Sequence, residues 1–351
     1  MKLLPFNDYN LKTPKILESL NEASRSLAEL KGFANSIPNQ YILINAITIN
    51  EAKDSSEIEN IVTTHDSIYK VLTKSGFKDE AAKEVVDYRR AIWRGYEIIK
   101  EKGFINTNAL VEIQSIIEHN NGGIRKTPGT NLQNSKTGEI IYTPPQTETE
   151  IRDLLKNLED YINNSEDDTD PLIKMALVHY QFESIHPFYD GNGRTGRVLN
   201  VIYLVLNKLL DSPILYLSNY INNTKSDYYR LFTEFREKNN YEDWILYILN
   251  GVNETAKNTI NLIKQIQSEM ESYKKEFMTK LPKVYSDDLL NSLFYEVYTR
   301  INYIEEKLGV TRQTAAIYLN QLVEVGLLEY EKIGKENIYK NVRLINLLKK
   351  F

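Results

Sequence analysis

His186-Pro187-Phe188-Tyr189-Asp190-Gly191-Asn192-Gly193-Arg194-Thr195-Gly196-Arg197 is the stretch on which the reading of this chain turns. Gly191 and Gly193 let the backbone fold tightly with its amides pointing one way, which makes an anion-binding nest. A helix opening near Asn192 would bring its positive end to the same spot. Arg194 and Arg197 lie three apart, share a helix face and can clamp a polyphosphate through bidentate bonds. Asp190 immediately precedes the nest and could hold Mg²⁺, which takes one or two carboxylates plus phosphate oxygens. His186 titrates near neutral pH and is a candidate general base. Each residue alone has a plain structural explanation: a helix end, a turn, a solvated face. No packing requirement calls for all of them within one turn, and together they describe a phosphate-transfer site. The stretch is not a Walker A loop, because it lacks both the Gly-Lys-Ser/Thr ending and a preceding strand.

Helical periodicity dominates outward from this loop. Asp170-Pro171 reads as an N-cap with proline at the first helical position, opening a helix through Ile173, Ala176, Leu177 and Tyr180 that ends near His186-Pro187. A second helix runs from Asn192 through Val198, Val201, Ile202 and Val205. Upstream, Ile16, Leu17, Leu20, Ala23, Leu27 and Leu30 place an apolar face on a first helix. Pro38 sits where another could begin, continued by Tyr41 to Ile49. Ser56 with Glu59 fits a capping box, which predicts a third helix through Ile61, Ile68 and Val71. Further helices are predicted over about Asp79–Lys100, Asn108–Glu118, Thr149–Ile162 and Lys225–Lys238. The segment Tyr241–Lys275 is long, increasingly charged, and reads as a spacer. Between Asn120 and Pro145 glycine and proline crowd together, and Glu139–Thr143 is a short strand candidate with an exposed edge that a partner strand could use.

After Pro282 a separate unit begins. Tyr295–Tyr303 reads as one helix, Ile304–Leu308 as a short second ending at Gly309, and Thr311 caps a third through Leu322. Leu327–Lys332 and Asn337–Asn341 read as a hairpin around Gly334-Lys335. That is the winged helix-turn-helix order. Residues 286–351 carry nine acidic and nine basic side chains. The would-be recognition helix offers Arg312, Gln313, Asn320 and Gln321; the wing offers Lys332, Lys335 and Lys340, offset by Glu331 and Glu336. DNA binding and protein contact both stay open for this unit.

The 351 residues suggest two or three domains. A balance of 43 Lys+Arg against 48 Asp+Glu does not point to bulk nucleic-acid binding, and any such contact would need a local basic patch. The absence of cysteine removes disulfides, thiolate metal sites and cysteine nucleophiles. With four histidines a multi-histidine metal cluster is not expected; His65, His119 and His179 read as structural or exposed, although His179 could share a helix face with His186. No apolar run of membrane-spanning length occurs, and MKLLPF lacks the apolar core of a signal peptide, so a cytoplasmic protein is expected.

The run from His186 to Arg197 resembles, without a mismatch, the H-x-F-x-(D/E)-G-N-G-R-x-x-R signature of Fic-domain proteins. The resemblance extends over roughly residues 3–257, including the Ile140-Ile141-Tyr142-Thr143-Pro144-Pro145 segment, where the family has its flap, and the Tyr228-Tyr229 pair. It implies an all-α core with a small β-hairpin flap, here followed by a winged-helix α+β domain, and transfer of AMP from ATP to a Ser, Thr or Tyr hydroxyl of a target protein with Mg²⁺. Residue by residue, His186 would deprotonate the hydroxyl and Asp190 would ligate Mg²⁺. The amides of Gly191, Asn192 and Gly193, with the Asn192 side chain, would hold phosphates. Arg194 would hold the β/γ-phosphates, Arg197 the γ-phosphate, and Phe188 would pack in the core. Tyr229 would line the nucleoside pocket, and Ile140, Ile141, Tyr142 and Thr143 would align the target as an added strand. Ser55, Glu59 and Asn60 resemble the family's (S/T)-x-x-x-E-(G/N) inhibitory motif, whose glutamate would pair with Arg197 and exclude the γ-phosphate. A capping role for Glu59 stays open beside it.

The expected organisation is an N-terminal helical region, 1–105, with an inhibitory helix near 55–73; a catalytic core, 106–257; a helical linker, 258–285; and a winged helix-turn-helix, 286–351. A self-inhibited adenylyltransferase leads. A DNA-binding regulator with a nucleotide-sensing domain, or an enzyme that removes AMP, is the alternative. A homodimer is possible, and no membrane partner is expected.

Overall fold

The computed structural model describes residues 1–350 except 36–39, 74–77, 134–137 and 335. Pro38 and Lys335 therefore lie outside the described residues. Helices α1 (Pro14–Asn35), α2 (Gln40–Ile58), α3 (His65–Thr73), α4 (Glu80–Lys102) and α5 (Thr107–Glu118) come first. Strands β1 (Leu132–Gln133) and β2 (Ile140–Tyr142) form an antiparallel pair, with Leu132 opposite Tyr142 and a bulge beside it. Then follow α6 (Glu148–Asn163), α7 (Pro171–Ile185), α8 (Asn192–Leu206), α9 (Leu217–Asn223), α10 (Lys225–Lys238) and α11 (Tyr241–Lys280). The remainder is α12 (Asp287–Tyr295), β3 (Tyr298–Thr299), α13 (Ile301–Leu308), α14 (Arg312–Glu324), β4 (Glu329–Ile333), β5 (Glu336–Lys340) and α15 (Val342–Lys350).

Caps decide where several helices start. The side chains of Asp79, Asn106, Thr147, Asp170, Ser286 and Thr311 each accept a first-turn N–H, satisfying donors that no intrahelical carbonyl reaches. The core centres on α7, buried around its whole circumference from Leu172 to Ile185 save Glu183, and on α8, which packs against it. Phe182 and Phe188 meet between them, both fully buried. A helix apolar on all sides is a core helix, and here it delivers His186 to the site.

Four expectations are corrected. No helix starts at Ser56: α2 continues from the Tyr41–Ile49 segment through Ser55 and Ser56 to Ile58, and the next helix waits until His65, so Ser55, Glu59 and Asn60 occupy a helix end and the turn after it. The Ser56-Glu59 pair is no capping box; the Ser56 carbonyl instead accepts the N–H groups of Glu59 and Ile61 as α2 closes. The spacer reading of Tyr241–Lys275 also fails. One continuous helix runs to Lys280 and buries Trp244, Ile248, Val252, Ile263, Ile266, Tyr273 and Phe277, the first half along α1 and the second under the C-terminal unit. Charges on its outer face masked the apolar stripe. Tyr295–Tyr303 is not one helix: α12 ends at Tyr295, and β3 intervenes before α13. Finally, α9, α12 and α15 were not foreseen.

The C-terminal sheet has the order β3-β5-β4, all antiparallel. It is fastened to the N-terminal helices. Tyr298 donates to Asp66 (2.5 Å), Lys70 pairs with Glu331 (3.4 Å), and Asn45 donates to the Tyr295 carbonyl (2.7 Å). Among the described residues no helix is long and apolar enough to cross a membrane.

Candidate active site

Two helix ends meet over one helix beginning. At the end of α7, His186 takes the left-handed conformation (φ 49°, ψ 59°) and turns the chain sharply into the loop. Gly191, also left-handed (φ 77°), opens α8 with no side-chain cap, so the first amides of that helix are left for an anion. The loop between is stapled internally. Asn192 accepts the Phe188 N–H (2.8 Å) and donates back to the Phe188 carbonyl (2.9 Å), and Asp190 accepts the Gly191 N–H (2.7 Å). Both polar ends of the Asn192 side chain are thus engaged by the loop itself.

Arg197 is buried on the first turns of α8 and meets the end of α2. Its Nε donates to the Ser55 hydroxyl (2.7 Å), and its Nη2 donates to the Ser55 carbonyl (2.9 Å) and to Glu59 (2.8 Å). The Glu59 carboxylate lies directly over Gly193, so close that a Cβ there would collide with it. An internal carboxylate therefore sits at the mouth of the anion nest, with its side chain about one-third exposed. Burial opposes its charge, but Arg197, Arg194 and Lys225 outweigh burial and hold Glu59 below the usual carboxylate range. Asn60, which follows, is left-handed (φ 65°). That conformation is open mainly to glycine and asparagine, which gives the Gly-or-Asn position of the motif a geometric reason.

Arg194 faces another way than its neighbour one turn on. It is bound to Glu84 (3.1 Å) on α4 and Glu118 (2.5 Å) on α5, with its Nε free of partners among the described residues. His186 Nδ1 is likewise a buried atom without a partner there. Burial first, then the charge of Arg125, pushes the His186 imidazole down to about 4, so it is neutral at physiological pH and able to accept a proton. Asp190 is exposed at the mouth. Among the described residues no group of three His, Asp or Glu could hold a metal unaided. A single carboxylate beside an anion nest does fit an ion that arrives on phosphate oxygens.

Tyr229 stands half exposed, its ring edge-on to buried Tyr228 (5.2 Å); burial and then Glu59 push its hydroxyl up to about 12. The structure thus brings His186, Asp190, Gly191–Gly193, Arg197, Ser55, Glu59 and Tyr229 into one neighbourhood. The β2 residues Ile140 and Ile141 are exposed, Tyr142 donates to the Ser184 carbonyl (2.9 Å), and Thr143 donates to Asn131 (2.8 Å). His179 is no site residue: it is buried, bonded to the Tyr228 hydroxyl (2.9 Å) and stacked on Trp244, and burial pushes it down to about 3.

Sequence reasoning missed the residues that aim the end of α2. Glu51 accepts from Ser218 (N–H, 2.9 Å) and Tyr88 (3.3 Å), Asp54 accepts from Asn219 (2.9 Å) and Tyr216, and Lys225 donates to the terminal Ile58 carbonyl (2.5 Å). It also missed Glu183, one turn before His186. Burial raises Glu183 to about 7 against the pull of Arg197, and its Oε1 has no partner among the described residues. One signal was present: acidic residues inside an otherwise apolar helix, at Glu51, Asp54 and Glu183, require partners.

Comparison with known proteins follows the same division. Residues 17–97 match the Fic/DOC family N-terminal model, 104–204 the Fic/DOC family model, and 270–344 the protein adenylyltransferase SoFic-like C-terminal domain. The protein adenylyltransferase fic-1 of Caenorhabditis elegans is 41% identical over 59 residues, 16% of this chain and 11% of that protein. A probable protein adenylyltransferase of Aquifex aeolicus is 39% identical over 70 residues, 20% and 21% of the two chains. The matched stretches thus span about a tenth to a fifth of these curated relatives. A Fic family protein from Desulfovibrio desulfuricans superposes with TM-score 0.59 at 18% identity, covering 95% of this chain and 97% of that one. Fic-1 from C. elegans superposes with TM-score 0.52 at 19% identity, covering 76% and 79%. Identities this low speak for a shared fold. The three models in series, over a common fold and an unbroken signature loop, establish that the chain carries a Fic domain, preceded by a Fic/DOC N-terminal segment and followed by an SoFic-like C-terminal domain.

Proposed function

We propose that this chain transfers AMP from ATP to a Ser, Thr or Tyr hydroxyl of a target protein and that Glu59 holds the reaction in check. The observation that supports this most is the Glu59 carboxylate over Gly193, paired at 2.8 Å with Arg197: an acidic group occupying an anion site. In this reading the target's hydroxyl oxygen attacks the α-phosphorus while His186 accepts the hydroxyl proton. The bond from the α-phosphorus to the β-phosphate bridging oxygen breaks, and pyrophosphate leaves. The first amides of α8 stabilise the charge that builds on the α-phosphate oxygens. Arg197, once free of Glu59, would pair with the γ-phosphate, and Arg194, now held by Glu84 and Glu118, would have to turn from them to reach the β/γ-phosphates. Asp190 would hold Mg²⁺, which supplies neutralisation of phosphate charge. The exposed edge of β2, Ile140 to Thr143, would take the target as an added strand, and Tyr229 would line the nucleoside side.

Glu59→Gly should raise incorporation of label from α-labelled ATP with Mg²⁺, and adding His186→Ala should abolish it, since general-base catalysis is worth about 10²–10⁴-fold. No rise in Glu59→Gly, or retained labelling in the double variant, would overturn the proposal.

One observation favours a second reading for the C-terminal unit. Helix, strand, helix, helix and hairpin follow the winged helix-turn-helix order, with the first residues of α14, Arg312 and Gln313, exposed. A mobility-shift assay beside the labelling assay separates a DNA-binding regulator from an enzyme with an accessory tail.

A further inference from the structure

Arg125 is among the largest fully buried side chains of the molecule, yet it forms no ion pair among the described residues. It follows Ile124, which bridges antiparallel to Phe188 of the catalytic loop, and its own N–H donates to the Pro187 carbonyl (2.9 Å). Its guanidinium is spread over three carbonyls from two segments. Nε donates to His186 (2.8 Å), and Nη2 donates to Ile185 (3.4 Å) and to Pro145 at the foot of the flap. The carbonyls of Ile185 and His186 are orphans of the α7 end, and the left-handed His186 turns them away from any continuing helix. A planar fork with fixed N–H directions can meet several such acceptors at once, whereas an ammonium on a flexible stem cannot fix their mutual angle.

We infer that Arg125 is a positioning residue for the general base: by tying the His186 and Pro145 carbonyls to one guanidinium, it sets the direction of the imidazole and links it to the flap on which a target would sit. The inference rests on the transfer reading above. A left-handed non-glycine turn is unfavourable by itself and persists only where its surroundings hold it. Here Arg125 is the side chain that binds the His186 carbonyl itself, beside the backbone bond of His186 to Phe182 and the Asn192 staple further along the loop, and the imidazole's path follows from that turn. The same guanidinium supplies a positive charge near His186. It is opposed by Glu59 from the turn after α2 and by Asp190 of the loop itself.

The test uses the full chain carrying Glu59→Gly, alone and combined with Arg125→Lys or Arg125→Gln, measuring melting temperature, KM for ATP, kcat of labelling and its pH profile. A misplacement of about 1 Å near the reacting atoms costs ~10²-fold. Arg125→Gln should lose about that in kcat, and Arg125→Lys about tenfold, with KM for ATP unchanged within about threefold. The acid limb of the rate should move to higher pH in Arg125→Gln and stay in place in Arg125→Lys. A kcat within threefold of the parent in both variants overturns the inference. So does a parallel collapse of ATP binding and kcat, or an Arg125→Lys chain that no longer folds, since each makes Arg125 a core residue only. Failure of the Glu59→Gly parent to label is a different result: it overturns the transfer reading, and this inference with it.

Discussion

The proposed catalytic turn at His186 and the proposed inhibitory turn at Asn60 have similar local geometry and different kinds of support. Both follow the last residue of a largely buried helix, both pass through a left-handed non-glycine residue (φ 49° and 65°), and both bring an ionisable side chain to the opening of α8. The turn at His186 has a staple within its own loop, Asn192 to Phe188 in both directions, and is also held from outside by Arg125, by Ile124 bridging Phe188 and by Gln114 of α5 donating to the Asp190 carbonyl. The inhibitory turn is held from without. Lys225 of α10 closes the end of α2, Ser218 and Tyr216 of the α9 segment anchor its acidic residues, and Asp66, just beyond the turn, is bound by Tyr298 and Lys340 of the C-terminal sheet. The first turn thus has a staple of its own besides its distant contacts, whereas the second depends on distant contacts that can be loosened separately.

The comparison breaks first at the staple. Asn192→Ala removes both bonds to Phe188 and strands two buried backbone groups, so in the Glu59→Gly chain kcat should fall about 10²-fold while the protein still melts cooperatively; a full-rate Asn192→Ala would mean the loop needs no internal support. Ser55→Ala comes next. Arg197 Nε loses its hydroxyl partner but keeps Glu59, and losing a charge-assisted bond worth about 1.5–3 kcal/mol should weaken the brake enough to raise labelling by the otherwise unmodified chain about tenfold. Unchanged labelling would assign the brake to Glu59 alone. Tyr298→Phe with Lys340→Met should act through Asp66 and the turn, with a rise of only about two- to fivefold, because partly exposed pairs contribute roughly 0–1 kcal/mol. A rise as large as that of Glu59→Gly would make the C-terminal sheet the main support of the brake. The smallest effect is in pH. In the proposed reaction His186 acts as a base only when neutral, and burial with the charge of Arg125 lowers its imidazole to about 4. Labelling by Glu59→Gly should therefore be level from pH 8 down to about 5 and fall below that as the imidazole takes a proton. An acid limb near the ordinary histidine value would contradict the burial of the ring.

The loop was legible because its chemistry is local. Asp170-Pro171 marked the start of α7, and Gly191 to Arg197 the start of α8, as caps, prolines and glycines act within a few residues. The end of α2 was misread for the same reason. A serine three before a glutamate satisfies the capping-box pattern at either end of a helix, and the asparagine that stops α2 carries no sign of its left-handed turn. The apolar stripe of α11 was present at Ile263, Ile266, Tyr273 and Phe277, but charges on the solvent side outweighed it in a reading of composition. Arg125 carried no signal at all: next to Lys126 in a glycine- and proline-rich stretch it looks solvated, and only the folded chain shows three carbonyls converging on it.

Sequence alone determined which groups this loop gathers, since an imidazole, a carboxylate, two glycines and two guanidiniums within twelve residues are constrained by one turn and one helix start. Tertiary structure decided which guanidinium each acidic residue meets: Arg197 goes to Ser55 and Glu59, and Arg194 to Glu84 and Glu118. That assignment depends on where α2, α4 and α5 pack around α8, and packing between segments 76 to 142 residues apart is set by the shape of the whole core.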